Sequence, residues 1–368
     1  MASDWIGSRV LILGGTGFIG RHMVKYLLKN ELTSKIRVVD KTPVEMAWMN
    51  EEHKAFMEKV EFVQVNLNQP TSCPKAFDSD DGEFDVVINL AAETKFGQYD
   101  GVYEESILKV GINCSREAAK RNIKKYIELS TGQVYSYDKK ASKEDSKLSP
   151  WTGIAKYKLQ LEEELAKIEG LNYIILRPAI VYGIGDKTGL TPRLVIGAVY
   201  RELQEKMKLL WTADLNMHTV HVEDVCHAIW FVINHGQLRE VYNVVDKSQS
   251  TQGSITELVC SIFHIEHDYF GSVMSNLAKL NLSDAVEESN DKHTGPWSEL
   301  CKREDIQHTP LSPYLDQELL YNKHLRLDGS KLEKLGFELV HPEVREQSLK
   351  EVVEDYITMK IFPKSVKP

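Results

Sequence analysis

The chain has 368 residues, 42% of them hydrophobic and 27% charged, which is typical of a globular protein with one elaborated domain or a main domain and a smaller one. A formal net charge of −9, with no run of lysine or arginine, argues against binding to nucleic acid or to an anionic membrane. No apolar run reaches the ~20 residues of a membrane-spanning helix, and the scattered cysteines form no C-x-x-C pair, so we expect reduced thiols and a cytoplasmic location.

Short β-branched runs alternate with helical spacing through the first half of the chain. Nearly continuous apolar strands separated by helices predict an α/β fold with a doubly wound parallel sheet of the Rossmann type. The predicted strands are 9–15, 36–40, 60–66, 84–92, 125–131 and 172–178, and the predicted helices are 17–29, 103–122 and 150–169. For the last helix, Ser149 is the predicted N-cap.

The pattern becomes less regular beyond residue 178. Strands are predicted at 218–222 and 240–245, with helices at 223–234 and 253–264. We therefore divide the chain into a Rossmann domain over 1–178 and a smaller C-terminal α/β substrate-binding region over 179–368 that is interleaved with it. A polar insertion spans about 266–322, and within it EESNDKHTGPW is predicted to be an exposed loop. Whether this insertion is a substrate lid or an interface stays open.

The stretch LILGGTGFIGRH carries the glycines of a dinucleotide-binding turn. Gly14, Gly15, Gly17 and Gly20 follow the first strand and open a helix, as a tight turn that lets a pyrophosphate approach the backbone requires. Asp40 ends the second predicted strand, where a carboxylate accepts hydrogen bonds from a ribose diol and repels a 2′-phosphate. The sequence therefore predicts NAD as the cofactor, in preference to NADP.

Further motifs along the chain resemble those of the extended short-chain dehydrogenases/reductases, in the NAD-dependent epimerase/dehydratase family. They are NLAAET (89–94), VGINCS (110–115), IELSTGQVYS (127–136), LRPAIVYGIGD (176–186), HTVHVEDVCHAI (218–229) and DGSKLEKLGF (328–337). The resemblance implies a small-molecule substrate and a homodimer or a place in a larger assembly. It also implies that the cofactor site includes Phe18, Ile19, Asn66, Leu67, Leu90, Ala91, Ala92, Asn113, Lys158 and Pro178.

Several residues depart from the family pattern near the site of chemistry. Asn89 stands where the family has histidine, and Leu13 where the glycine motif usually opens with threonine. Gly132 and Gln133 follow the predicted catalytic Thr131, where dTDP-glucose dehydratases have an Asp-Glu pair. Neither replacement can take a proton, which argues against a 4,6-dehydratase. His218 stands near the position of an arginine that in the family meets a nucleotide-sugar diphosphate.

The largest departure concerns the motif Tyr-x-x-x-Lys, whose spacing puts phenol and lysine on one helical face. In this chain the motif reads Ile154-Ala155-Lys156-Tyr157-Lys158. Ile154 cannot be a general acid or base, whereas Lys158 can still bind the nicotinamide ribose. Two replacements are conceivable, Tyr157 in a shifted frame or Thr131 with an ordered water. Tyr157 is more simply explained as a packing residue.

Two functions remain in view on the sequence alone. The chain is either an NAD-binding scaffold or regulator with reduced or lost oxidoreductase activity, or an active oxidoreductase with a non-standard proton donor among Thr131, Tyr157 and Lys158. We expect no metal site, because His264 and His267 have no third ligand in a matching context.

Overall fold

The computed structural model describes residues 5–136, 140–270 and 281–367. The chain divides into two compact units. Unit 1 comprises Met1–Ala179, Val222–Val245 and Leu327–His341, and unit 2 comprises Ile180–His221, Asp246–Arg326 and Pro342–Pro368. Each unit is therefore built from three separate stretches of the chain.

Unit 1 contains a seven-stranded parallel sheet in the order β10-β6-β5-β4-β1-β2-β3. This order reverses direction at β1, as in a Rossmann fold, and so confirms the predicted fold class. Its strands are β1 (Ser8–Leu13), β2 (Thr33–Asp40), β3 (Glu61–Gln64), β4 (Val86–Asn89), β5 (Lys125–Leu129), β6 (Tyr173–Pro178) and β10 (Val241–Val244).

Helices connect the strands of this sheet. They are α1 (Phe18–Lys29), α2 (Glu51–Met57), α3 (Pro74–Phe77), α4 (Asp100–Tyr103), α5 (Val110–Lys120), α6 (Gly153–Leu165), α8 (Val222–His235) and α11 (Ser330–Lys334), with a π-helical segment at Glu104–Lys109. One apolar cluster, which includes Leu11, Val87, Tyr126 and Leu161, lies between the sheet and the helices α5 and α6. The carboxyl ends of the strands are thereby left for polar residues.

Unit 2 has two short parallel strand pairs and a helical core. Its strands are β7 (Ile180–Tyr182), β8 (Met207–Leu209), β9 (Thr219–His221) and β11 (His267–Tyr269), and its helices are α7 (Thr191–Leu203), α9 (Gln252–Phe263), α10 (Leu282–Arg303) and α12 (Glu346–Thr358). In the described part of the chain, no helix combines the length and the apolar character needed to cross a membrane.

The insertion contains a helix where the sequence predicted a loop. EESNDKHTGPW lies inside α10, in spite of Pro296 within the helix, so the loop prediction was wrong. His293, Trp297, Leu300 and Cys301 are buried at the spacing of one helical face, and this burial outweighs the local preference against helix. Residues 271–280 of the predicted insertion lie outside the described residues.

The helix that carries Lys158 begins later than predicted. It starts at Gly153, and Thr152 is its N-cap, because the Thr152 hydroxyl accepts a hydrogen bond from the amide of Ala155. Ser149 instead donates its own amide to the Val134 carbonyl. The predicted cap was therefore wrong by three residues, although the helix itself is present.

The buried imidazole of His53 makes the stability of the protein depend on pH. His53 is 2% exposed, its Nε2 atom has no hydrogen-bond partner, and its ring contacts that of His22 at 4.5 Å. Burial, and then the neighbouring charges of His22, Arg21 and Lys25, lower the pKa of His53 to about 2. Because the pKa is lower in the folded state, the unfolded chain takes up the proton first as the pH falls.

The contribution of His53 to stability is therefore complete above pH ~6.5 and is lost as the pH falls below that value. We expect wild type to lose about 2 kcal/mol of unfolding free energy from this residue between pH 7 and pH 5. His53→Phe should show a pH dependence that is smaller by about this amount in urea denaturation at the two pH values. The exposed His308→Phe is the control, and an identical pH slope in wild type and His53→Phe would refute the assignment.

Candidate cofactor and active site

The glycine-rich turn after β1 is closed around its own backbone. Gly14 has φ +76°, and a Cβ atom there would lie 2.6 Å from the amide nitrogen of Ala91. A Cβ atom at Gly20 would lie 2.5 Å from the Gly14 carbonyl, and one at Gly15 would lie 2.5 Å from Cγ1 of Val38. These three positions therefore have no room for a side chain, as expected where a turn, a strand and a helix meet.

The turn leads directly into the N-terminus of α1. Gly17 is the N-cap and supplies no side-chain hydrogen bond. The amides of Phe18, Ile19 and Gly20 are in the first helical turn, where backbone N–H groups have no acceptor within the helix. Together with the helix dipole, such amides favour a bound phosphate.

Asp40 lies at the end of β2, next to this turn. One carboxylate oxygen accepts the amide of Thr16 at 3.2 Å, and the other accepts the amide of Thr42 at 3.0 Å. Asp40 thus ties the glycine-rich turn to the end of β2. Each carboxylate oxygen has a second lone pair, so these bonds leave acceptor capacity for a ribose hydroxyl.

Two other predicted cofactor segments follow β3 and β4. Asn113 on α5 donates from Nδ2 to the carbonyls of Leu67 at 3.0 Å and Asn68 at 3.1 Å, and so holds the segment after β3. Asn66 is exposed there. After β4, the residues Leu90, Ala91 and Ala92 are each partly buried.

The position of the missing phenol is apolar in the structure. Ile154 is partly buried and packs in a cluster with Tyr103, Ile107 and Tyr157. The Tyr157 ring is 7% exposed, and its centroid lies 6.0 Å from that of Tyr103. The aromatic ring beside Lys158 is therefore part of the packing between α6 and the helical segments α4 and Glu104–Lys109.

Lys158 takes part in a buried ion pair that the sequence did not reveal. Its ammonium lies 2.8 Å from Oε1 of Glu128, and the two side chains are 6% and 0% exposed. The other Glu128 oxygen accepts hydrogen bonds from Asn89 at 2.6 Å and from the Tyr126 hydroxyl at 3.3 Å. Asn89 also accepts the amide of Ala91 at 3.2 Å, which connects this network to the predicted cofactor segment.

Thr131 is placed by the short turn that follows β5. Its hydroxyl accepts the amide of Gln133 at 3.2 Å, and the side-chain oxygen of Gln133 accepts the hydroxyl of Thr152 at 2.9 Å. Gln133 therefore supports the cap of α6. Gly132 is packed so closely that a Cβ atom would lie 2.6 Å from Leu327 and 3.1 Å from the carbonyl of Pro178.

A second buried network lies on the other side of Lys158 along α6. Arg177 pairs with Glu162, and the Tyr135 hydroxyl accepts from Arg177 at 2.8 Å while it donates to Asn243 at 2.8 Å. Burial raises the pKa of the Tyr135 phenol to about 12, although the charge of Arg177 opposes the shift. Tyr135 is therefore a protonated structural group at neutral pH.

Comparison with known proteins adds to this geometry. The profile of the NAD-dependent epimerase/dehydratase family matches residues 10–245. The chain belongs to this family. Among curated proteins, it is similar to a dTDP-D-glucose 4,6-dehydratase of Dictyostelium discoideum, with 27% identity over 264 residues that cover 66% of this chain and 59% of that protein. The human dTDP-D-glucose 4,6-dehydratase is 23% identical over 314 residues, which cover 81% of this chain and 83% of that protein.

Solved structures of the family share the fold. UDP-glucose 4-epimerase of Thermus thermophilus in complex with NAD has a TM-score of 0.66 at 20% identity, covering 95% of this chain and 99% of that one. A dTDP-glucose 4,6-dehydratase of Streptomyces venezuelae has a TM-score of 0.70 at 19% identity, covering 95% and 97%.

Membership of the family identifies NAD as the cofactor, and the residues of unit 1 fit it. The space that Gly14 and Gly20 leave at the start of α1 suits a pyrophosphate, and Asp40 retains acceptor capacity for a ribose diol. When bound, NAD supplies a hydride acceptor or donor. The roles predicted for Thr131, Tyr157 and Lys158 stay predictions.

Proposed function

We propose that the chain binds NAD at the glycine-rich turn and does not carry out the proton transfer that a phenol performs in Tyr-x-x-x-Lys enzymes. The observation that carries this proposal is the pair of changes on one face of α6. Ile154 supplies no proton, and the ammonium of Lys158 lies against the buried carboxylate of Glu128. The positive charge that would favour a tyrosinate is thereby offset within the protein.

Neighbouring groups do not replace the phenol in this arrangement. Tyr157 is 7% exposed and packed against Tyr103. The Tyr135 hydroxyl is occupied by a donor and an acceptor, and burial raises its pKa to about 12. Gly132 and Gln133 have no ionisable group, so the elimination of water that a 4,6-dehydratase catalyses has no acid–base pair next to Thr131.

A second candidate function is a sugar-nucleotide epimerase or dehydratase that works with a weaker proton donor. The names of the relatives favour it, since they act on dTDP-glucose or UDP-glucose. Thr131 is the residue that could serve, because its hydroxyl is partly exposed and accepts one long hydrogen bond from Gln133. A hydroxyl with a bridging water is a poorer acid–base group than a phenol whose pKa lies nearer neutrality.

Two substitutions at one position separate these candidates. Under the proposed function, NAD raises the melting temperature of wild type, yet wild type turns over neither UDP-glucose nor dTDP-glucose. Ile154→Tyr should then turn over at least one of these substrates about 100-fold faster than Ile154→Phe, because a positioned acid–base group contributes ~10²–10⁴-fold. The phenylalanine variant is the matched control, since it has the same ring and lacks the hydroxyl.

The contrary results are equally specific. Wild-type turnover at an ordinary enzymatic rate of about 1 s⁻¹ or more, lost in Thr131→Val, would refute the proposal and establish the second candidate. Failure of millimolar NAD to stabilise the protein would refute both.

A further inference from the structure

Arg193, in the first turn of α7 in unit 2, has a guanidinium group with very little to bind. The side chain is partly buried, and its one hydrogen-bonding contact runs from Nη2 to the thioether sulfur of Met217 at 3.5 Å. A guanidinium carries five N–H donors, and a thioether is a weak acceptor. Within residues 5–136, 140–270 and 281–367, no carboxylate forms an ion pair with Arg193.

The carboxylate that would be expected to pair with Arg193 is already fully used. Asp186 is 1% exposed and accepts four backbone amides of the following turn, at 2.7 to 3.0 Å. These four donors are Thr188, Gly189, Leu190 and Thr191. Asp186 therefore organises the start of α7 and reaches Arg193 through space alone.

Other arginines of unit 2 show the usual arrangement. Arg303 forms a two-pronged ion pair with Glu202 at 2.7 and 2.9 Å, and Arg201 donates to the carbonyl of Lys367 at 2.8 Å. Arg193 is less exposed than Arg303, and burial lowers the pKa of Arg193 to about 10 in spite of the opposing charge of Asp186. A desolvated cation without an oxygen acceptor is unfavourable in the free protein and becomes favourable when an anion binds.

We propose that Arg193 is an oxyanion-binding residue of unit 2 and that it binds a phosphoryl group of the substrate. The planar guanidinium fork matches the oxygens of a phosphate or a carboxylate in two parallel hydrogen bonds. The apolar Met217 beside it excludes water and so strengthens such a bond. The choice of phosphate over carboxylate rests on the proposed function, because the relatives of the chain act on nucleotide sugars.

Calorimetric titration of the full chain tests this site with four probes, which are UDP, inorganic pyrophosphate, oxalate and glucose, at constant ionic strength. We expect UDP and pyrophosphate to bind wild type, and Arg193→Gln to bind them at least 10-fold more weakly. Arg193→Lys should be intermediate, since it keeps the charge and loses the fork. Arg303→Gln, which removes a positive charge from the same unit, should stay within two-fold of wild type.

The remaining readouts keep the proposal falsifiable. NAD affinity, measured by the fluorescence of NADH, should be equal in wild type and Arg193→Gln, so failure at this site is distinguishable from failure of the cofactor site. Without ligand, Arg193→Gln should melt at or above the wild-type temperature, because it removes a charge with no partner. A melting temperature several degrees lower would show a structural role and overturn the proposal. It would also be overturned if oxalate alone bound, or if Arg193→Gln bound pyrophosphate as tightly as wild type.

Discussion

Lys158→Met should destabilise the protein by about 3–5 kcal/mol, the usual cost of removing one partner from a buried ion pair. Glu128 is 0% exposed and would keep two hydrogen bonds, from Asn89 and Tyr126, with no positive charge nearby to offset its own. The free energy of unfolding from urea denaturation measures this loss.

The double variant Lys158→Met/Glu128→Leu should recover most of that loss. Replacement of both members of a buried pair by apolar residues is often neutral or stabilising, because neither charge then has to be desolvated. The recovery isolates the interaction between Lys158 and Glu128 in the manner of a double-mutant cycle.

Lys156→Met is the matched control on the same helix. Lys156 pairs with Asp100 at 2.8 Å, but the side chains are 46% and 69% exposed, so the change should cost less than about 1 kcal/mol. If Lys158→Met and Lys156→Met cost the same, the ammonium of Lys158 is not held by Glu128 in solution and is available to the cofactor.

The sequence predicted the sheet of unit 1 well because its signals are local. Each strand is a short β-branched run, and the glycine pattern is physically required where the Gly14 turn meets Ala91 and the Gly20 helix turn. The alternation of strand and helix then leaves few topologies for a parallel sheet. These features depend on neighbours in the chain.

The chemistry of the site was less predictable because it depends on residues distant in sequence. Glu128 sits in the apolar strand β5, and its charge is tolerated through Lys158, 30 positions later. Arg193 reaches Met217, 24 positions away and directly before His218. Sequence reading found a histidine where the family has an anion-binding arginine, and it could not find an arginine brought to that segment from another helix.

The helix α10 shows a different limit of sequence reading. Gly295 and Pro296 are local signals for a loop, and each is unfavourable inside a helix. The apolar face formed by Trp297, Leu300 and Cys301 is buried in the core of unit 2, and this tertiary contact decides the conformation. A spacing argument extended over the whole stretch would have weighed that face against the two residues.

Gly14→Ala should abolish NAD binding and destabilise the protein by about 3–5 kcal/mol, more than backbone strain alone explains. The new Cβ atom would lie 2.6 Å from the nitrogen and 2.7 Å from Cα of Ala91, and these are backbone atoms that cannot rotate away. Because the turn also presents the first amides of α1, any shift that relieves the clash moves the predicted pyrophosphate site.

Gly7→Ala provides a control that separates the clash from the strain. Gly7 has φ +82°, close to the φ +76° of Gly14, yet a Cβ atom at Gly7 would have nothing within 4 Å. It should therefore cost the conformational strain alone, about 1–2 kcal/mol, and leave NAD affinity unchanged. Thermal melting with and without NAD measures both effects. Equal losses in the two variants would mean that Ala91 does not confine the turn, and retained NAD binding in Gly14→Ala would place the pyrophosphate elsewhere.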